Sequence, residues 1–248
     1  MKLITWNICC LSNVINLYQN PKNSIRHVIK VLNAHKADVI CLQEVFDKNI
    51  RTLLKQEFKQ YNQAYEHTPH LFKINSGLMI FSRLPIISCD FITYNASCGE
   101  DSFANKGFMV ATVGYNSSYF TIYNTHLNNQ TPIFRLYKSG FDVIEQQFSQ
   151  LLGHLYHSLN TNNRVYLCGD FNIDTFHIKQ FINKSIFRNS LTITGFSTQT
   201  TLNEIYDTID HILIVSKCDK VKCTEETQYI YNPLCSDHYA IIKNFILD

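Results

Sequence analysis

Six short stretches of the chain carry side chains suited to moving a proton or holding a hard cation. They are Thr5-Trp6-Asn7, Leu42-Gln43-Glu44-Val45, Asn124-Thr125-His126, Gly169-Asp170-Phe171-Asn172, Ile209-Asp210-His211 and Ser236-Asp237-His238. Any one has an ordinary explanation, because Asp and Asn cap helices and build turns. Their placement is less ordinary: each sits where an apolar, strand-like run begins or ends. Strands of one sheet finish along a common edge, so their end residues can converge on one cleft held by rigid elements.

The residue types define the chemistry such a cleft could do. Glu44, with Asn7 and Asp237, offers hard oxygen ligands that suit Mg²⁺, with Mn²⁺ as a substitute. No two cysteines show the C-x-x-C spacing of a zinc site. His238, next to Asp237, can take a proton from water, and a second carboxylate such as Asp210 can set its tautomer. Asp170 and Asn172 can orient the attacking water, and His126 can donate to phosphoryl oxygens as charge develops. Together these groups support metal-assisted hydrolysis of a phosphoester.

The elements that must position them follow from hydrophobic periodicity. Residues 3–8 read as a buried strand, and Pro21 opens a helix with Ile25, Val28, Ile29 and Leu32 on one face. Residues 38–42 form a short apolar strand, followed by a helical pattern in Ile50, Leu53, Leu54 and Phe58. Strands are expected at 77–81, 86–92, 107–113 and 119–124, the last two joined by the turn-forming Asn116-Ser117-Ser118. A long helix is expected from Phe134, Phe141, Ile144, Phe148, Leu151, Leu152 and Leu155, then a strand at 164–168. Further strands fall near 209–215, 229–231 and 239–245. Two strand-rich halves, each carrying helices, fit a four-layer α/β sandwich of two packed, mainly antiparallel sheets with helices outside.

Composition agrees with one such unit spanning 1–248. The 248 residues are 45% hydrophobic and 17% charged, enough apolar surface for a sizeable core and too much for disorder. A formal charge of +2 argues against a strongly basic nucleic-acid binder. The nine cysteines are an odd number, and Cys41 and Cys168 lie in apolar runs where Cys behaves as a small hydrophobe. The apolar stretch near Met1 is too short for a secretory leader, and no run approaches the roughly 18 apolar residues of a membrane span. A reducing, cytosolic setting is therefore the default expectation, leaving export without a leader open.

The six stretches, in this order, resemble the motif series of the endonuclease/exonuclease/phosphatase superfamily, across positions 3 to 242. The resemblance implies a DNase I-like fold with Glu44 as direct Mg²⁺ ligand supported by Asn7. It also implies His238 as general base oriented by Asp210, with Asp170 and Asn172 positioning water and phosphate. His126 would stabilise the phosphoryl group or assist the leaving group. How Asp170 and His238 divide the proton transfer is left open.

Within the superfamily, Glu44-Val45-Phe46-Asp47, Ser82-Arg83-Leu84-Pro85-Ile86 and the run from Cys98 to Phe108 resemble neutral and bacterial sphingomyelinases. That similarity implies a phosphodiester substrate with a lipid headgroup, peripheral contact with a membrane, and Asn105 and Lys106 at the substrate phosphate. Gly107 would let the backbone come close to the ligand. A nuclease of the same fold is the first rival, and would need a basic groove along the phosphate backbone. The densest basic group is only Lys217, Lys220 and Lys222. A soluble inositol phosphate is a second rival. An inactive binding module is a third, disfavoured because Asn7, Glu44, His126, Asp170, Asn172, Asp210 and His238 are all present. The sequence sets no oligomeric state.

Overall fold

A computed structural model describes residues 1–10, 21–65, 73–131, 139–159, 164–202, 208–217 and 227–246. In chain order the elements are β1 (Lys2–Cys10), α1 (Pro21–His35), β2 (Val39–Val45), α2 (Lys48–Glu57), β3 (Asn62–Tyr65), β4 (Met79–Ser82) and β5 (Ile86–Thr93). A 3₁₀ turn (Gly99–Phe103) leads to β6 (Gly107–Tyr115), β7 (Ser118–His126), α3 (Gly140–Ser158), β8 (Val165–Asp170) and α4 (Thr175–Lys184). The chain closes with β9 (Thr192–Thr194), β10 (Asp210–Ser216), β11 (Thr227–Ile230) and β12 (Ala240–Asn244).

These form two six-stranded sheets, ordered β11-β12-β1-β2-β4-β3 and β5-β6-β7-β8-β10-β9. Each is antiparallel apart from one parallel pair, β1 with β2 and β7 with β8. Strand alternation explains the layering. On β1, Ile4, Trp6 and Ile8 face a core shared with Val28, Leu32 and Leu54 of α1 and α2. Leu3 points the other way, into a core between the sheets with Val39, Ile80, Ile122, Cys168 and Ile212. On the far side, Leu167, Leu213 and Val215 pack against Ile144, Phe148 and Leu151 of α3 and Ile178 of α4. Helix, sheet, sheet and helix thus make four layers, as the patterning predicts.

Helix starts are set chemically. Pro21, with its preset φ, is the first residue of α1. Asp47 and Asp174 cap α2 and α4 through carboxylates that accept from Ile50 N and His177 N. The expected strand at 77–81 begins instead at Met79, because Gly77 turns the chain at φ +72°. Strands β3 and β9 and helix α4 have weak periodicity and are found only in the structure. Phe134, Lys220 and Lys222 lie outside the described residues. Among the described residues, no helix is long and apolar enough to cross a membrane.

Candidate active site

Register places three of the expected residues in one row. On adjacent strands of the second sheet, His126 of β7 pairs with Asp170 of β8, and Asp170 pairs with Asp210 of β10. All three end or begin their strands, so the row lies along one sheet edge. Gly169 makes this fit possible: a Cβ there would fall 2.0 Å from the Thr125 carbonyl oxygen, and φ is +143°. No other residue would let β8 approach β7 so closely.

The first sheet supplies the facing groups. Along β2, Ile40 and Leu42 face the helices and Cys41 the second sheet, but Val45 again faces the helices. That change of parity is centred on Glu44, a non-glycine residue in the left-handed region at φ +58°. The twist carries the Glu44 carboxyl to the cleft rather than into the helical layer; backbone in so sparse a conformation often marks a functional position. Below it, Gln43 Nε2 donates to Asn124 Oδ1 (2.6 Å) and Thr5 Oγ1 (3.0 Å), pinning the two sheets together. His238 comes from the segment before β12. Its amide donates to Ser236 Oγ, its carbonyl accepts from Trp6 Nε1, and Ser236 Oγ donates to the Asn7 carbonyl.

The side chains converge on one oxygen. Asp170 Oδ2 lies 3.6 Å from His126 Nε2 and 3.8 Å from His238 Nε2, and accepts from Asn7 Nδ2 at 2.9 Å. Asn7 Nδ2 also donates to Glu44 Oε1 at 3.0 Å. Asp210 Oδ2 is 2.9 Å from His238 Nδ1. With that nitrogen bonded to a carboxylate, His238 presents Nε2 to the cleft, the arrangement in which a neutral imidazole accepts a proton.

Burial and charge shape the protonation states. Burial and the nearby Asp210 carboxylate push Asp170 up to about 6. Burial also raises Glu44, against the Asn7 hydrogen bond and the positive charge of Lys106. For His126, burial together with Lys106 and His238 lowers the pKa well below the ordinary value, so its ring is neutral. Burial acts the same way on His238, but the Asp210 carboxylate outweighs it by charge and hydrogen bond, and the net shift is strongly upward.

Two carboxylates with raised pKa facing each other, Asp170 buried and Glu44 half-buried, form a donor set that a dication would stabilise in the charged form. Glu44, His126 and Asp170 each place a ligand atom within 4.8 Å of the others, as do Asp170, Asp210 and His238. Carboxylate oxygens at the shared centre fit Mg²⁺. The Asn7 side-chain oxygen accepts from Cys9 N at 3.0 Å, and its amide nitrogen bridges the two carboxylates. Asp237 lines the cleft but belongs to neither cluster.

Asn105 and Lys106, expected at the substrate phosphate, stand back from the cleft and do not line it. Lys106 is buried, with Nζ 3.0 Å from Asp101 Oδ1 and donating to the Leu127 carbonyl at 3.0 Å. Asn105 is buried too, and accepts from Thr93 Oγ1. A buried ammonium needs such partners, and the fold supplies them inside the wall. Asn172 does line the cleft; its amide donates to the Leu127 carbonyl, and its backbone N–H to Asp170 Oδ1.

The cleft, of about 610 Å³, is also lined by Glu100, Asp101, Asn129 and Gln130, which sequence reasoning did not single out. Asp101 ties this wall together by accepting from Asn129 N at 2.6 Å while pairing with Lys106. Its position five residues before Lys106 was the available signal.

Residues 4–238 match the Endonuclease/Exonuclease/phosphatase family. The chain belongs to that family. Its members' fold recurs in solved structures similar to this one. Sphingomyelinase C from Streptomyces griseocarneus superposes with a TM-score of 0.79 at 17% identity, covering 98% of each chain. A beta toxin variant from Staphylococcus aureus, solved with bound magnesium ions, gives 0.79 at 18% identity over 99% of each. Among curated relatives, human sphingomyelin phosphodiesterase 3 is 26% identical over 178 residues, 63% of this chain. That match covers 27% of the relative's own length.

Proposed function

We propose that this member of the endonuclease/exonuclease/phosphatase family is a Mg²⁺-dependent phosphodiester hydrolase whose favoured substrate is a sphingomyelin-like phospholipid. The observation that carries the chemistry is the meeting of His126, Asn7 and the Asp210-bound imidazole of His238 around a single carboxylate, Asp170, opposite Glu44. Glu44 and Asp170 would hold the cation, with Asn7 keeping the two carboxylates in place. When bound, Mg²⁺ would supply Lewis-acid polarisation of the phosphoryl group.

The chain's own residues do the rest. Asp170 and the Asn172 backbone, joined at 2.8 Å, position the attacking water. His238 Nε2 takes its proton, and Asp210 holds Nδ1 and stabilises the imidazolium that forms. His126, neutral and with Nε2 toward the carboxylates, is placed to donate to a phosphoryl oxygen.

The lining of the cleft favours a small cationic headgroup over a nucleic-acid backbone. Glu44, Glu100, Asp101, Asp170 and Asp237 put five carboxylates on it, and among the described residues no Lys or Arg lines it. A polyanion needs the opposite, whereas a zwitterion bearing a quaternary ammonium is attracted. Relatives named as sphingomyelinases point the same way. The test is a side-by-side assay on sphingomyelin micelles, abasic duplex DNA and inositol phosphates, with Mg²⁺ and with EDTA. Phosphocholine release that EDTA stops is expected. DNA nicking in Mg²⁺ without phosphocholine release would overturn the substrate while leaving the chemistry standing.

A further inference from the structure

Asp210 and His238 make the 2.9 Å contact that orients the imidazole, yet they belong to different sheets. Asp210 begins β10 of the second sheet, and His238 precedes β12 of the first. Among the described residues, no strand pairing joins β10 to β12. A dyad assembled across two layers drifts with every relative movement of those layers unless something ties both ends.

Thr201 makes that tie. It is fully buried, and its Oγ1 accepts from the backbone N–H of Ile209 at 2.9 Å and of Asp210 itself at 3.0 Å. Its carbonyl accepts from Tyr239 N at 2.7 Å, one residue beyond His238. The next residue, Leu202, forms an antiparallel bridge with His238. One residue thus holds the backbone of Asp210 with its side chain and, with its main chain, the backbone of Tyr239 next to His238. Ile209 is in turn fixed to the site by accepting from Phe171 N at 2.9 Å, beside Asp170.

We infer that Thr201 is a positioning residue for the His238–Asp210 pair, acting through a hydroxyl that accepts two backbone N–H groups. Thr201 is not among the residues that line the cleft. Serine can make the same two bonds, while valine, of similar shape, leaves two buried donors unsatisfied. This inference rests on the hydrolase reading for its kinetic arm only.

The test compares Thr201→Ser and Thr201→Val with the parent in the full chain, using a chromogenic phosphodiester with Mg²⁺ and ¹⁵N-histidine NMR. The spectroscopic signature is the downfield Nδ1–H resonance of an imidazole bonded to a carboxylate. For Thr201→Val, kcat should fall about tenfold to a hundredfold, with unchanged KM and Mg²⁺ requirement, because displacement of an oriented group is costly even when small. The downfield resonance should weaken or vanish together with it. Thr201→Ser should retain both.

A folded Thr201→Val protein that keeps its resonance and its kcat overturns the inference, as does a Thr201→Ser protein damaged as severely as the valine variant. If the valine variant does not fold, amide hydrogen exchange of the parent and the serine variant decides. Ile209 and Asp210 should be protected in both, and rapid local exchange at either overturns it. A parent without turnover defeats the hydrolase reading, and the resonance series then judges Thr201 alone.

Discussion

Two imidazoles approach the same oxygen of Asp170, at 3.6 Å for His126 and 3.8 Å for His238, and the fold drives their pKa values in opposite directions. Both rings are buried, so desolvation lowers each. What differs is the second partner. His238 has a carboxylate in hydrogen-bond contact through its other nitrogen, whereas buried His126 Nδ1 has no hydrogen-bond partner among the described residues and Lys106 adds repulsion. A directly bonded anion therefore outweighs burial, and carboxylates at 3.6 and 3.9 Å do not. One ring is set up to gain and lose a proton, the other to stay neutral and donate.

The strongest way to break this comparison is to remove the carboxylate that faces Asp170 across the Asn7 amide. Glu44→Gln should leave the fold intact, by circular dichroism, and abolish most Mg²⁺-dependent turnover, since an amide is a far poorer ligand for Mg²⁺ than a carboxylate. Near-parental turnover at saturating Mg²⁺ would sink the assignment of Glu44.

Next comes the proton-transfer side. His238→Ala should cost at least about a hundredfold in kcat, within the usual range for general acid–base catalysis. A variant that keeps both rate and pH profile would move the base role to Asp170, whose pKa of about 6 suits it.

Lys106 sharpens the other side. Lys106→Met leaves the Leu127 carbonyl without its donor and Asp101 without its cation, and should lower stability by about 1–3 kcal/mol in urea denaturation. The same change should raise the pKa of His126, followed by NMR titration, because a positive neighbour is gone. An unchanged His126 titration would mean that burial alone keeps that ring neutral.

The smallest effect expected is a shift in a pH profile. A base must be neutral, and the His238 pKa is raised, so activity should climb with pH along a limb above the ordinary histidine value of 6.5. Asp210→Asn removes the anion chiefly responsible, and the limb should move down by about one unit or more while the maximal rate falls. A limb that stays in place would assign it to a different group.

Much of this arrangement is legible in the sequence. Apolar alternation at Ile4, Trp6 and Ile8 and helical spacing at Ile25, Val28 and Leu32 identify their elements, because burial on one face imposes the period of the element. Glu44, His126, Asp170, Asp210 and His238 are legible as a set, since each alone has an ordinary use in a cap or turn but their shared placement at the ends of apolar strands is not explained that way. Strands β3 and β9 escape notice because their short sequences, Asn62–Tyr65 and Thr192–Thr194, carry too few apolar residues to display a period.

Only the tertiary structure decides how those groups meet. The row of His126, Asp170 and Asp210 depends on register between β7, β8 and β10, a relation among residues far apart in the chain. The orientation of Asn7 depends on Cys9 N, and the withdrawal of Lys106 on Asp101 and Leu127. The opposite pKa shifts of two histidines follow from differences of less than 1 Å in their distances to carboxylates. Residue type and period are local properties and can be read along the chain, while distance, hydrogen-bond partner and burial exist only once two sheets have packed.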